Sequence, residues 1–407
     1  MSWIDYRKAK PISYQRKHIA DLPAENIVTI SADESRKLKE GALAICKTPY
    51  NIEEQDAFIN AAKALTHCFA PETVASVESI LATSGVVLMK GLPVEADLPD
   101  TPTKGGSLPP GYKATFLNEA LLIAFGTLSG GELYNYRQEG RGSAPLIDNV
   151  VPVRELKSHK GAGGYENNFP FHCESAWHRK RPHYLILYGV RENADAKTLA
   201  YSSKDLLSSD YPLDGLTDPE RFRLKAPELY IQMQNEGIPM GTPEFSDLPP
   251  VQIYKDKYKL NVNFNGTLCR DMETVELLSK FEDYIESKMV GTIISHGSAL
   301  LLNNDITCHT RTGYTPLFDG KDRWFLRAYF RRDLWKYDSN VFKEIGGQPD
   351  DYQELRKLDW IDDDLTLTSA FTKFMYDPQE FYALPDAQKR LAVLAFQLTP
   401  IPGHRIM

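Results

Sequence analysis

The sequence predicts a single large mixed α+β unit. Helix-period patterns fill much of the first 130 residues. Short apolar and aromatic runs, separated by Gly, Pro and Asn, follow to about residue 335. No Pro/Gly/Ser-rich linker divides these regions into independent domains.

The elements follow in order. The first fifty residues mix strand-like and polar segments. EEQDAFINAAKALTHCFA, from Glu53 to Ala70, places apolar residues at helical spacing and predicts an amphipathic helix. A second helix is expected from Glu72 to Thr83, ended by Ser84-Gly85. Val86-Val87-Leu88-Met89 is a short apolar run bounded by turn residues, the signature of a buried strand. Residues 92–113 are rich in Pro, Gly and Asp and read as a loop, of a kind that often serves as a lid. Ala114 to Leu128 is helical again. FPFHCE and HYLILYGV are the clearest strand-like runs of the next stretch. Residues 204–250 are polar and proline-dotted and open an expected insertion of about 204–285. Within it KYKLNVNF is strand-like and Asp271 to Met289 helical. GSALLLNND predicts a strand and turn, and Arg323 to Arg332 a strong strand. Residues 336–407 read as a helical extension that covers the preceding domain, 1–335, or makes an oligomer contact.

Composition narrows the function. Apolar residues make up 42% and charged residues 25% of the 407, the profile of a globular enzyme. A net charge of −8 disfavours a broad nucleic-acid surface. The five cysteines are scattered and form no CxxC pair, which argues against a disulfide framework and a cysteine zinc site. A reducing cytoplasm is the expected setting. No apolar run reaches membrane-spanning length, and the charged start of the chain lacks the apolar core of a signal peptide.

The residues able to do chemistry centre on His172-Cys173-Glu174. On an extended segment, side chains at i and i+2 point the same way, so an imidazole and a carboxylate converge on one point. That donor pair suits iron, manganese or zinc. H-x-E recurs by chance, and a third ligand must come from elsewhere. Of nine histidines, His309 is the best candidate, because it follows the strand and turn of LLLNNDITCHTRTGY. His178 and His183 suit supporting roles. Two His and one carboxylate leave one face of an octahedron open, as non-haem iron(II) oxygenases require. Downstream, Arg323, Phe325, Arg327, Tyr329 and Arg331 share one strand face, and Trp324, Leu326, Ala328 and Phe330 the other. Two arginines on one face could each clamp a carboxylate.

At this point the sequence resembles a known family. FHCESAWHRKRPHYLILYGVREN is similar to the metal-binding segment of the clavaminate synthase-like branch of 2-oxoglutarate oxygenases, which is related to taurine dioxygenase and includes free amino-acid hydroxylases. HTRTGYTPLFDGKDRWFLR resembles the same family's second motif, matching at His309, Arg311, Thr312, Asp319-Gly320, Asp322-Arg323-Trp324 and Arg327. The resemblance covers about residues 130–335. It implies a double-stranded β-helix (jelly roll) core flanked by helices, with iron(II) held by His172, Glu174 and His309. It further implies 2-oxoglutarate and O2 as cosubstrates, with Arg323 and Thr198 on the distal carboxylate. Arg327 and Gln138 would meet the carboxylate and α-amino group of a small substrate.

Departures from the family pattern also inform. Relatives that hydroxylate arginine read the guanidinium with an acidic strand pair; here the stretch is Asn261-Val262-Asn263-Phe264-Asn265. Asn263 and Asn265 cannot neutralise a guanidinium, which disfavours free arginine. Glu174 favours hydroxylation, desaturation or cyclisation over halogenation, which needs that position vacated for chloride. The alternatives are the same chemistry on a carrier-bound or non-amino-acid intermediate, a zinc hydrolase with the same triad, and a non-catalytic binding module.

Overall fold

The computed structural model describes residues 3–11, 19–135, 137–138, 142–143, 145–159, 161–176, 181–204, 224, 231–234, 245–246, 250–254, 257–332, 349–361, 368, 370–371 and 383–398. Among the described residues, four helices of eleven residues or more precede most of the sheet: α1 (Ala32–Leu43), α2 (Ile52–Ala64), α3 (Pro71–Thr83) and α4 (Leu117–Thr127). The expected helices at 53, 72 and 114 are all present. Helix α1 lies where only strand-like and polar segments were expected. Its signal was a capping box: the Ser31 hydroxyl accepts from Glu34 N, and the Glu34 carboxylate accepts from Ser31 N. At the end of α3, Gly85 takes φ +73° and its N–H bonds Ile80 O, the left-handed stop that glycine adopts without strain.

The main sheet contains β1 (Ile27–Thr29), β2 (Val86–Lys90), β3 (Glu132–Tyr134), β4 (Asp148–Val150) and β5 (Tyr184–Arg191). The second sheet begins with β6 (Thr198–Ser202) and β7 (Val290–Thr292). Then come β8 (Ala299–Asn303) in the main sheet, β9 (Thr307–Arg311) in the second, and β10 (Trp324–Arg331) in the main sheet. The main sheet runs β1-β2-β8-β5-β10-β3, with β4 also on β10; the second runs β9-β6-β7 and then Ala20–Asp21.

Strand alternation sorts the core into layers. Ile186, Tyr188 and Val190 of β5 and Trp324, Leu326, Ala328 and Phe330 of β10 face the helices. Leu185, Leu187, Phe325 and Tyr329 face the second sheet and meet Ala200. Leu199, Tyr201 and Cys308 face outward onto α5 (Met272–Lys288), with Leu278, Phe281 and Ile285. Each such aromatic or aliphatic side chain, fully buried, contributes about 1.5–3 kcal/mol. Helix α4 sits so close to β10 that a Cβ at Gly126 would fall 2.2 Å from the Phe330 ring. Most of helix α5 falls within the stretch 204–285, and it packs into the core.

The loop at 92–113 is pinned rather than free to act as a lid. Thr101 bonds Gly320 O and Asp322 O, and Gly106 pairs with Asn149. Lys113 is fully buried between Glu95 (2.8 Å) and Glu119 (2.7 Å). In the last seventy residues, α6 (Pro349–Lys357) and α7 (Asp386–Leu398) are joined by an Arg390–Asp351 ion pair. Among the described residues no helix is long and apolar enough to cross a membrane.

Candidate metal centre

The segment carrying His172 is not the regular strand expected of FPFHCE. It makes isolated bridges on both sides, His172 to His309 of β9 and His172 to Asn263. Pro170 offers no N–H to a ladder, and Ser175, at φ 49°, turns the chain away just after Glu174. Alternation survives these breaks. His172 and Glu174 project between the sheets, while Cys173 packs in the outer core and is buried.

The bridge to β9 brings in a third candidate donor, His309. His172 N bonds His309 O at 3.1 Å and His309 N bonds His172 O at 2.9 Å, so the two residues sit directly opposite. Opposed residues of an antiparallel pair share a face, and the imidazole centroids are 4.4 Å apart. Both Nε2 atoms lie 3.4 Å from Glu174 Oε1. Ligand atoms of the three residues all fall within 4.8 Å of one another. His172 Nδ1 lies 3.0 Å from Pro170 O. Its proton belongs there, which leaves Nε2 with a lone pair for a cation.

The surroundings favour binding. Burial would raise the Glu174 carboxyl, but Arg327 and the two imidazoles outweigh it and hold the group well below the usual range. Burial, with His172 beside it, lowers His309 to about 4 despite the neighbouring Glu174. Glu174 is therefore ionised and His309 neutral at neutral pH, as metal ligation demands.

Three residues that sequence reasoning did not assign fix Glu174. Tyr329 OH donates to Glu174 Oε2 at 2.8 Å. The Asn304 amide clamps the backbone, accepting from Glu174 N at 2.8 Å and donating to Glu174 O at 3.0 Å. Asp148 holds Arg327 at 2.7 Å, and Arg327 Nη1 stands 3.7 Å from Glu174 Oε1. Tyr329 could have been found from its place on the Arg327 face. Asp148 and Asn304 carry no local signal.

A second cluster adjoins the metal face. Thr198 pairs with Arg311 two positions along from the Ala200–His309 pair, so its side chain lies on the His309 side. Its hydroxyl is buried without a hydrogen-bond partner among the described residues, and so is Arg323 Nε. The Arg323 guanidinium lies 3.7 Å from the Phe325 ring centroid. Burial pushes Arg323 down, partly offset by Tyr314. Burial and the nearby Arg323 push Arg311 down to about 10. Arg311 gives its own donors to Thr312 O and Gly164 O. Two buried guanidiniums and an orphaned hydroxyl form a site that wants an anion.

The other expected residues divide. Asn263, opposite His172, comes to the metal face. Asn265 falls on the turn closed by Gly266 N to Asn263 O, not on a strand. Gln138 pairs through its backbone with Gly142, and its side chain lies outside the described residues, as do Trp177 and His178. His183 supports Asp305, 3.9 Å away.

No protein-family model matches the chain. Curated relatives do. L-asparagine oxygenase of Streptomyces coelicolor is 26% identical over 317 residues, covering 75% of this chain and 90% of that protein. Clavaminate synthase 2 of Streptomyces clavuligerus is 28% identical over 287 residues, covering 68% and 84%. The chain is thus homologous to L-asparagine oxygenase and clavaminate synthase 2. The fold agrees. A solved asparagine oxygenase in complex with Fe(II), (2S,3S)-3-hydroxyasparagine and succinate superposes with a TM-score of 0.64 at 22% identity, covering 75% of this chain and 94% of that one. The donor set and the buried arginines Arg311 and Arg323 fit a divalent metal with an anionic partner, which a zinc hydrolase would not need.

Proposed function

We propose that the chain is an iron(II)- and 2-oxoglutarate-dependent oxygenase that hydroxylates an unactivated C–H bond of a free amino acid or amino-acid derivative. The observation that carries this is the convergence of His172, Glu174 and His309, with Arg323 Nε and the Thr198 hydroxyl buried without hydrogen-bond partners among the described residues. When bound, iron(II) with 2-oxoglutarate and O2 supplies the oxidation, releasing succinate and CO2. The chain supplies position and dryness. His172 Nε2, His309 Nε2 and Glu174 Oε1 hold the metal, and Arg323 with Thr198 holds the distal carboxylate of 2-oxoglutarate. Arg327 and Asn263 stand on the substrate side. Gln138 and Asn265 join them by resemblance alone.

The same reading treats residues 1–335 as one oxygenase domain with a double-stranded β-helix core. Residues 336–407 become a helical extension that covers it or joins two copies, and the setting is cytoplasmic. The test is spectroscopic. Anaerobic protein with iron(II) and 2-oxoglutarate should develop the visible charge-transfer band of the chelate, and His309→Ala should abolish it. Well-folded protein without the band refutes the reading. Release of succinate against a panel of amino acids, with a mass gain of one oxygen, then identifies the substrate.

A further inference from the structure

The Arg327–Asp148 pair stands beside Glu174. Asp148 on β4 is the direct register partner of Arg327 on β10. Arg327 Nη2 bonds Asp148 Oδ2 at 2.7 Å, and Nη1 reaches to 3.7 Å from Glu174 Oε1. The pair therefore adjoins the metal ligands. It is also reachable, since the two side chains keep 24% and 20% of their exposure.

Neither partner is saturated. Arg327 Nε is buried with no hydrogen bond among the described residues, and Nη1 lies beyond hydrogen-bond reach of Glu174. Asp148 accepts through Oδ2 from Arg327, and no other side-chain donor reaches it among the described residues. Guanidinium donors and an acceptor carboxylate thus stand side by side with net charge zero. That arrangement complements a ligand whose own anion and cation lie two bonds apart. A plain carboxylic acid would meet Arg327 but also the like charge of Asp148. A carrier thioester would have no carboxylate to offer, and an N-acylated acid no ammonium.

We propose that Asp148 is a specificity-determining residue that takes the α-ammonium group of the substrate while Arg327 takes its α-carboxylate, so that the site selects α-amino acids with both groups free. This rests on the oxygenase reading above. It adds to Gln138 the one thing an amide lacks, a countercharge for the ammonium.

The test uses the full chain, anaerobic, with iron(II) and 2-oxoglutarate. Calorimetry compares matched pairs: L-asparagine with succinamic acid, L-lysine with 6-aminohexanoic acid, L-ornithine with 5-aminopentanoic acid. The remaining proteinogenic L-amino acids are each compared with their N-acetyl forms. At least one α-amino acid should bind about tenfold or more tighter than its counterpart lacking the free ammonium, the size of a charged hydrogen bond. Asp148→Asn, compared at iron(II) and 2-oxoglutarate concentrations that saturate its own chelate band, should collapse that ratio to within about threefold. The inference is overturned if no α-amino acid outbinds its counterpart, or if D148N keeps the full ratio. Should D148N fail to fold, Asp148→Ser, equally neutral, takes its place with the same two outcomes. Loss of the chelate band in the wild-type protein would instead defeat the oxygenase reading itself.

Discussion

Tyr329→Phe should weaken metal binding without disturbing the fold. The tyrosine hydroxyl donates to Glu174 Oε2 at 2.8 Å in a buried site. That bond aims Oε1 at the point 3.4 Å from both imidazole Nε2 atoms. Without it, the carboxylate is free to swing toward Arg327, whose Nη1 is already 3.7 Å from Oε1. The ion pair then competes with the metal. A hydrogen bond to a buried charged group contributes about 1.5–3 kcal/mol, equivalent to roughly 10- to 150-fold in affinity. The bond forms within the protein itself, so metal binding loses only its orienting part, and about tenfold is expected, within the range for outer ligand supports. The assay is anaerobic titration of iron(II) or manganese(II) against a competing chelator, with circular dichroism to confirm folding. Folded Y329F with wild-type metal affinity would refute the role given to the hydroxyl.

Other consequences follow from named contacts. Arg323→Met should weaken 2-oxoglutarate binding by about 30-fold or more, as expected for losing one side of a buried charge pair, with metal affinity retained in the same titration. Lys113→Met leaves Glu95 and Glu119 buried without their shared cation, and urea unfolding should show a loss of about 3–5 kcal/mol. For Asp305, burial would raise the carboxyl, but Lys259 at 2.9 Å, with His183 and Arg181, holds it well below its ordinary 3.8. A depressed folded value means the stabilisation is present above the unfolded pKa and lost as pH falls below about 4. Asp305→Asn should flatten the acid limb of a stability–pH curve; an unchanged limb assigns that limb to other groups.

Local chemistry made part of this molecule legible. Period-two alternation along 324–330 is intrinsic to an extended chain, so the sequence alone placed Trp324, Leu326, Ala328 and Phe330 on one face and Arg327 and Tyr329 on the other. Helices α2, α3 and α4 were readable because apolar spacing and their stop residues lie within each segment. Helix α1 was written in its capping box but hidden by its polar composition, since most of its length faces solvent.

The opposite holds for whatever depends on which strands become neighbours. The H-x-E spacing set His172 and Glu174 on one side of the chain, but only the bridge to β9 brought His309 against them. The same is true of Asp148, which meets Arg327 through the register of β4 on β10, and of Asn304, which reaches Glu174 from the turn after β8. Side-chain direction is a property of a few adjacent residues and their stereochemistry. Register is a property of two distant segments and the core they bury together. The sequence by itself therefore determined the donor types and the faces they occupy, while the tertiary structure decided their partners: the third donor, His309, the Tyr329 hydroxyl on the Glu174 carboxylate, and Asp148 beside Arg327.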